Sequence, residues 1–226
     1  MSAEHIYIHW PFCKKKCWYC DFVSFEQPTY GLNPSVGEYK KSSCRWNHPI
    51  KQYHDALLNE IAAFAASKQS NGEKLPIKTL FLGGGTPSRY PLELLQKLFA
   101  LLDKNFLLKN LQEATIESNP GDVTEEKLSA WRNLGINRLS IGVQILDEKI
   151  LENVNRYQKN KSVIDLLSIA PNYFENISVD LILGLPGTTS NVWFDTLKYL
   201  ISTPINHISV YFLTIYEKTP LYFKIQ

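Results

Sequence analysis

The chain has no excess charge of either sign. Its 24 basic and 22 acidic residues leave +2 over 226 residues, which is no electrostatic footprint for a nucleic acid. It has no apolar run near the roughly 20 residues that a membrane helix needs. The twelve residues before Cys13 hold Glu4, His5 and His9 in place of a basic head and an apolar core. Neither a secretory leader nor an Arg-rich transit segment is therefore expected, and the cytoplasm is the expected compartment. Cysteine is scarce: there are four, and Cys13, Cys17 and Cys20 lie within eight residues. A disulfide framework would spread them along the chain, so a metal-binding or catalytic role is the better expectation. No internal repeat or low-complexity tract is present. Hydrophobic and charged fractions of 44% and 20% exclude disorder and a coiled coil. The length suits one α/β barrel, which commonly runs to roughly 200–250 residues, and a core of that size needs no staples.

Short β-rich runs alternate with helical stretches. Strands are expected at Ile6–Trp10, Lys78–Leu82, Glu113–Glu117, Arg138–Val143, Ile177–Leu183 and His207–Leu213. Helices are expected at Ile50–Ala66, Pro91–Asp103, Thr124–Leu134, a broken Asp147–Ile169, and Asn191–Ile201. Asp122 stands where an N-cap belongs, with Glu125 three residues on, and Gly135 ends that stretch. Runs such as Ile177–Leu183 are apolar nearly throughout, as buried parallel strands are. Repeated βα units mean a parallel sheet, doubly wound or curled into a barrel, with ligand groups at the carboxyl ends of the strands. The stretch 26–49, rich in Pro, Gly, Ser and Lys, reads as a surface insertion, and Cys44 within it as a bystander.

After the first strand comes Cys13-Lys14-Lys15-Lys16-Cys17-Trp18-Tyr19-Cys20, a C-x3-C-x2-C loop. Three thiolates from one loop can bind three corners of an iron–sulfur cluster and leave the fourth iron open. Lys14, Lys15 and Lys16 either lower the thiolate pKa values and offset the charge of a bound cluster or simply form a solvated loop, and Trp18 and Tyr19 are expected to keep water off the cluster. A zinc site stays open as an alternative, with His9, His48 or Cys44 as the fourth ligand; a redox disulfide is another.

Other chemistry falls at strand ends. Gly83-Gly84-Gly85-Thr86-Pro87 closes the second strand, and its N–H groups can form a nest for a carboxylate or phosphate. Glu117 ends the third strand, Gln144 the fourth, and Asp180 lies within the fifth; each alone could be a structural cap. Three such groups on one rim point to a polar ligand site. Gly184-Leu185-Pro186-Gly187 reads as a strand-to-helix turn. Trp131 and Trp193 read as packing residues, and His48, His54 and His207 have no metal-ligand spacing.

Several motifs appear in order: Tyr7-Ile8-His9-Trp10-Pro11-Phe12-Cys13, Cys20-Asp21-Phe22, Phe81-Leu82-Gly83-Gly84-Gly85-Thr86-Pro87-Ser88, Glu117-Ser118-Asn119-Pro120-Gly121, Ser140-Ile141-Gly142-Val143-Gln144 and Asp180-Leu181-Ile182-Leu183-Gly184-Leu185-Pro186-Gly187. With the cysteine loop, they make the chain resemble the radical S-adenosylmethionine (SAM) superfamily. Within it, the chain is similar to the oxygen-independent coproporphyrinogen III oxidase family, and most to that family's haem-chaperone branch. The resemblance runs from about residue 5 to residue 220.

It implies a partial (βα)6 barrel with outer helices and a [4Fe–4S] cluster on Cys13, Cys17 and Cys20. It implies SAM bound by Gly84, Gly85, Thr86, Glu117, Gln144, Arg156 and Asp180, with Tyr7 and Tyr19 near the cluster and adenine and Thr214 on the sixth strand. Reductive cleavage of SAM to methionine and a 5′-deoxyadenosyl radical is the implied chemistry. Haem or a porphyrinogen is the implied partner, with an unidentified haem acceptor and electron donor, and no nucleic acid.

Two departures separate the chain from the oxidases: Phe22 stands where they carry a further Cys, and their N-terminal extension has no counterpart. Asn155-Arg156-Tyr157-Gln158 is nearer to the oxidases' pattern. Residues 216–226 are too few for a closing helix and the C-terminal domain that the resemblance implies, so an incomplete relative or fragment is expected.

Overall fold

A computed structural model describes residues 4–27, 49–69 and 72–225. Cys44, His48 and most of the expected insertion lie outside these residues. Eight strands are present: β1 (His5–Trp10), β2 (Phe12–Cys13), β3 (Phe25–Glu26), β4 (Thr79–Gly84), β5 (Glu113–Ser118), β6 (Arg138–Gln144), β7 (Asn176–Leu183) and β8 (His207–Phe212). The helices are α1 (Pro49–Lys68), α2 (Leu92–Asn105), α3 (Glu125–Asn133), α4 (Glu148–Glu152), α5 (Asn160–Ile169), α6 (Ser190–Ile201) and α7 (Pro220–Lys224). The break expected within 147–169 is the gap between α4 and α5.

Six strands form one parallel sheet in the order β1-β4-β5-β6-β7-β8. Each lies beside its predecessor in the chain, whereas a doubly wound sheet reverses direction at a switch point. β1 and β8 end the sheet unpaired with each other, which makes it a partial barrel.

Successive side chains on a strand point to opposite faces, and here the faces differ in chemistry. Ile8, Trp10, Leu80, Leu82, Ala114, Ile116, Leu139, Ile141, Val179 and Leu181 share one core with Leu95, Leu98 and Leu102 of α2, Leu128 and Trp131 of α3, and Leu166 of α5. The intervening positions include Tyr7, His9, Thr115, Glu117, Arg138, Ser140, Ser178 and Asp180. The run Ile177–Leu183 therefore alternates, with Ser178 and Asp180 turned from the helices; Ser178 is nonetheless buried, and Ile182 on the same face packs against a second, smaller core.

Local chemistry sets the element ends. α3 is capped by Thr124, whose hydroxyl accepts from Lys127 N. Asp122, the expected cap, instead sits in a short 3-10 turn, and its carboxylate accepts from Arg89 Nη1 at 2.6 Å. Two eligible caps stand two residues apart, and the ion pair withdraws one of them. Pro91 is the N-cap of α2 and not its first turn. Gly184 and Gly187 have positive φ, as the turn reading requires.

Trp10 aims the start of the cysteine loop. It is fully buried, stacked on Tyr90 at 3.9 Å and edge-on to Phe12 at 5.1 Å. Trp10→Ala should cost about 3–5 kcal/mol in denaturant unfolding; a loss below about 1 kcal/mol would contradict this packing.

Candidate functional site

The described site residues gather at the carboxyl end of the sheet. β1 ends at Trp10, and Pro11 leads into the two-residue β2, which pairs with β3 through Phe12–Phe25 and Cys13–Glu26. This ribbon closes the cysteine loop on itself: Phe25 N donates to Pro11 O, and Gln27 N to Cys13 O, each at 2.7 Å. Distant segments brace it. Trp18 N donates to Val154 O at 2.9 Å, and Leu221 N to Trp18 O at 3.0 Å. Asn155, with φ of 62°, donates from Nδ2 to Lys16 O at 2.9 Å; Asn tolerates this left-handed conformation better than most residues.

All three cysteines of the loop are free thiols; Cys13 is buried, and Cys17 and Cys20 are half-buried. Burial pushes the Cys13 thiol up, opposed by a hydrogen bond from Thr86. The lysines turn to other groups, in line with the solvated-loop reading. Lys16 Nζ donates to Phe22 O and Ser24 O, Lys15 Nζ lies 4.8 Å from the Tyr157 ring centroid, and Lys14 is exposed. The cation at the thiols is Arg156, whose Nη1 is 3.9 Å from Cys17 Sγ. Trp18 and Tyr19 pack against a small second core that includes Ile145, Leu151, Val154 and Leu221. They support the loop from that side. Burial, with Cys17 beside it, holds the Tyr19 phenol above its ordinary range.

Arg156 is a brace. Its Nη2 donates to Gly142 O at 2.6 Å, Asn119 Oδ1 at 3.1 Å and Gln158 Oε1 at 2.9 Å. Gln158 is itself fixed by its Nε2 bond to Val143 O. Asn119, Asn155 and Gln158 are thus supporting residues of the loop; each stood within a quoted motif, but only their contacts show what they do. Gln144 ends β6 with φ of 67°, where the pairing with β7 shifts register. A side chain on Gly142 would meet Gln144 Nε2 at 2.8 Å and Arg156 Nη2 at 3.2 Å.

The glycine turn is not an open nest. Gly84 N donates to Glu117 Oε2 at 3.1 Å, and Gly85 N to Trp10 O at 2.7 Å. The carboxylate that the turn holds is the chain's own. Gly84 has φ of 114°, and a Cβ there would lie 2.6 Å from the His9 ring; one on Gly85 would lie 2.8 Å from Pro11 C. The glycines therefore let β4 approach β1 and the loop it carries. His9 places Nε2 at 2.7 Å from Val23 O and Nδ1 at 2.9 Å from Tyr7 OH, so both ring nitrogens are taken by groups other than the cysteines. Among the described residues, no three His, Cys, Asp or Glu side chains converge on a single metal ion.

Tyr7 is 58% exposed and packs against Phe81. Asp180 accepts from Ser140 Oγ at 2.8 Å. Thr214, expected on the sixth sheet strand, lies two residues beyond its end at Phe212 and is exposed. Burial pushes the Glu117 carboxyl up to about 7, against the Gly84 bond, and Asp180 adds to the rise. Chemically, the site offers three free thiols beside one guanidinium, with two carboxylates further along the polar face. That donor set fits an iron–sulfur cluster with three protein ligands and a cationic organic ligand beside it.

Residues 7–200 match the Radical SAM superfamily, and the chain belongs to that superfamily, whose membership implies a [4Fe–4S] cluster and SAM. It is similar to the heme chaperone HemW of Bacillus subtilis, 36% identical over 221 residues, covering 96% of this chain and 52% of the relative. The heme chaperone HemW of Synechocystis sp. is 35% identical over 218 residues, covering 94% and 48%. Among solved structures, the coproporphyrinogen III oxidase HemN of Escherichia coli, described as a radical SAM enzyme, superimposes with a TM-score of 0.74 at 29% identity, covering 94% of this chain and 44% of that one. The chain is thus closely related to the HemW and HemN proteins and spans about half the length of these relatives. No described helix is long and apolar enough to cross a membrane.

The raised Glu117 pKa makes folding pH-dependent. Between the ordinary value of 4.5 and about 7, the native state holds a proton that the unfolded state has lost, so stability falls as pH rises through that window. Glu117→Gln should remove this slope and leave the ligand-free variant more stable than wild type above pH 7, on the order of 1–3 kcal/mol. Denaturant unfolding at several pH values checks this, and equal slopes for both proteins would contradict it.

Proposed function

We propose that the chain is the cluster- and SAM-binding core of a haem chaperone of the HemW kind. Cys13, Cys17 and Cys20 would hold the [4Fe–4S] cluster. The observation that carries this is the arrangement of three free thiols on one braced loop, with Arg156 at Cys17. When bound, the cluster and SAM supply one-electron reductive chemistry.

The chain's own residues orient and enclose the ligand. Glu117 and Asp180 offer carboxylates to the ammonium and hydroxyl groups of SAM, and Gln144 offers an amide. Gly84, Gly85 and Thr86 keep the strand end close to the loop, Tyr7 and Tyr19 stand near the cluster and the adenine, and Thr214 lies at the outer rim. Arg156 balances negative charge at Cys17 while holding the loop to β6, so its contribution to SAM binding passes through the loop's geometry.

Haem handling is supported by the likeness to heme chaperones of the HemW kind and by Phe22, which is 65% exposed just beyond the cysteine loop. In the oxidases that the chain resembles, that position carries a further Cys. A second reading, oxidative decarboxylation of coproporphyrinogen III to protoporphyrinogen IX, is favoured by the HemN superposition and by the Asn155-Arg156-x-Gln158 pattern.

Anaerobic reconstitution should give about four irons and four sulfides per chain, and substitution of any one of the three cysteines by serine should lower iron to less than half. Zinc in place of iron would overturn the cluster assignment. The reconstituted chain should shift the haem absorbance on titration and should form no protoporphyrinogen IX from coproporphyrinogen III with SAM and a reductant. Absence of the haem shift would overturn the chaperone reading; product formation would replace it with the oxidase reading.

A further inference from the structure

A single line of hydrogen bonds crosses the polar face of the sheet. Arg138 Nη2 donates to Ser178 Oγ at 3.1 Å, Ser178 Oγ to Ser140 Oγ at 3.1 Å, and Ser140 Oγ to Asp180 Oδ2 at 2.8 Å. A guanidinium only donates and a carboxylate oxygen only accepts, so every hydroxyl in the line points toward Asp180. Ser140 and Ser178 are direct register partners on β6 and β7, and both are buried. At the far end, Arg138 Nη1 is held by Glu113 Oε1 and Thr115 Oγ1, each at 3.3 Å.

The arrangement is costly as mere filling. Ser140 and Ser178 are themselves 5% and 0% exposed, and a buried hydroxyl needs a partner that an aliphatic side chain does not. Here each hydroxyl has one, and the line polarises in one direction. It occupies Asp180 Oδ2 alone. Among the described residues, Oδ1 has no hydrogen-bond partner, and the row that contains Ser140 also contains Glu117.

We propose that Arg138, Ser178 and Ser140 form a positioning relay that locks the Asp180 carboxylate and presents its free oxygen, Oδ1, to the ligand beside Glu117. Ser140 is the positioning residue; Asp180 makes the contact. The proposal rests on the assignment of Asp180 to the SAM site. Removing the Ser140 hydroxyl strips Asp180 Oδ2 of its donor and leaves the carboxylate free to turn about its last torsion, while Ser178 loses its acceptor.

The test is a double-mutant cycle on the anaerobically reconstituted chain, with SAM binding measured by calorimetry and cluster content by absorbance. Ser140→Ala should weaken SAM about tenfold at unchanged cluster content, and Ser140→Thr, which keeps a hydroxyl, should recover most of the loss. In the Asp180→Ala background, Ser140→Ala should cause no further loss, because it acts only through that carboxylate. Wild-type affinity in Ser140→Ala, or equal and additive losses in the two backgrounds, would overturn the relay while leaving Asp180 in the site. Wild-type affinity in Asp180→Ala would overturn the assignment of Asp180 and the relay together. Should Ser140→Ala lose its fold, the Ser178→Ala cycle with Asp180→Ala decides by the same non-additivity.

Discussion

Alternation along the parallel strands is the constraint on which the rest of the structure depends. Helices cover one face of the sheet, so every second side chain must be apolar to join their core, and the others are free to be polar where they find hydrogen-bond partners. Leu139, Ile141, Val179 and Leu181 satisfy the first demand. Glu117, Arg138, Ser140, Ser178 and Asp180 use the freedom of the second. A doubly wound sheet would have buried both faces and left no such row. The pairing of β6 with β7 sets Ser140 opposite Ser178, so these serines meet without help from any loop.

The cysteine loop is fixed to this frame by contacts that span the chain. Lys16 and Asn155 are 139 residues apart, as are Cys17 and Arg156. The guanidinium reaches from the loop to Gly142 at the end of β6 and to Asn119 just after β5. A thiol loop held this way needs little reorganisation to receive a cluster, since its backbone is already tied on both sides. Gly84 makes the complementary contribution: without a Cβ it admits the His9 ring, and its N–H steadies Glu117.

These long-range contacts mark the boundary of what the sequence shows. Each of the six sheet strands was expected within two residues of its observed ends, because apolar periodicity and strand-end glycines are local signals. The cysteine spacing and the strand-end polar residues located the candidate site for the same reason. The failures have a common cause. Lys14–Lys16 stand beside the cysteines in sequence, yet the cation beside Cys17 is Arg156, and sequence distance does not encode that approach. Asp122 has the right character for a helix cap but is drawn to Arg89, leaving Thr124 to serve. The glycine turn has the composition of an anion nest, and its occupant is Glu117, which lies 33 residues away. Thr214, expected on the sixth sheet strand, lies two residues past its end at Phe212, because a strand's end depends on pairing with its neighbour more than on its own residues.

The central claim is that Cys13, Cys17 and Cys20 hold three irons of a [4Fe–4S] cluster and leave the fourth to SAM. The most direct measurement is the electron paramagnetic resonance spectrum of the reconstituted, dithionite-reduced chain before and after SAM is added. The account predicts a reduced-cluster signal whose g-values move when SAM coordinates the open iron. A cluster signal identical with and without saturating SAM would contradict it.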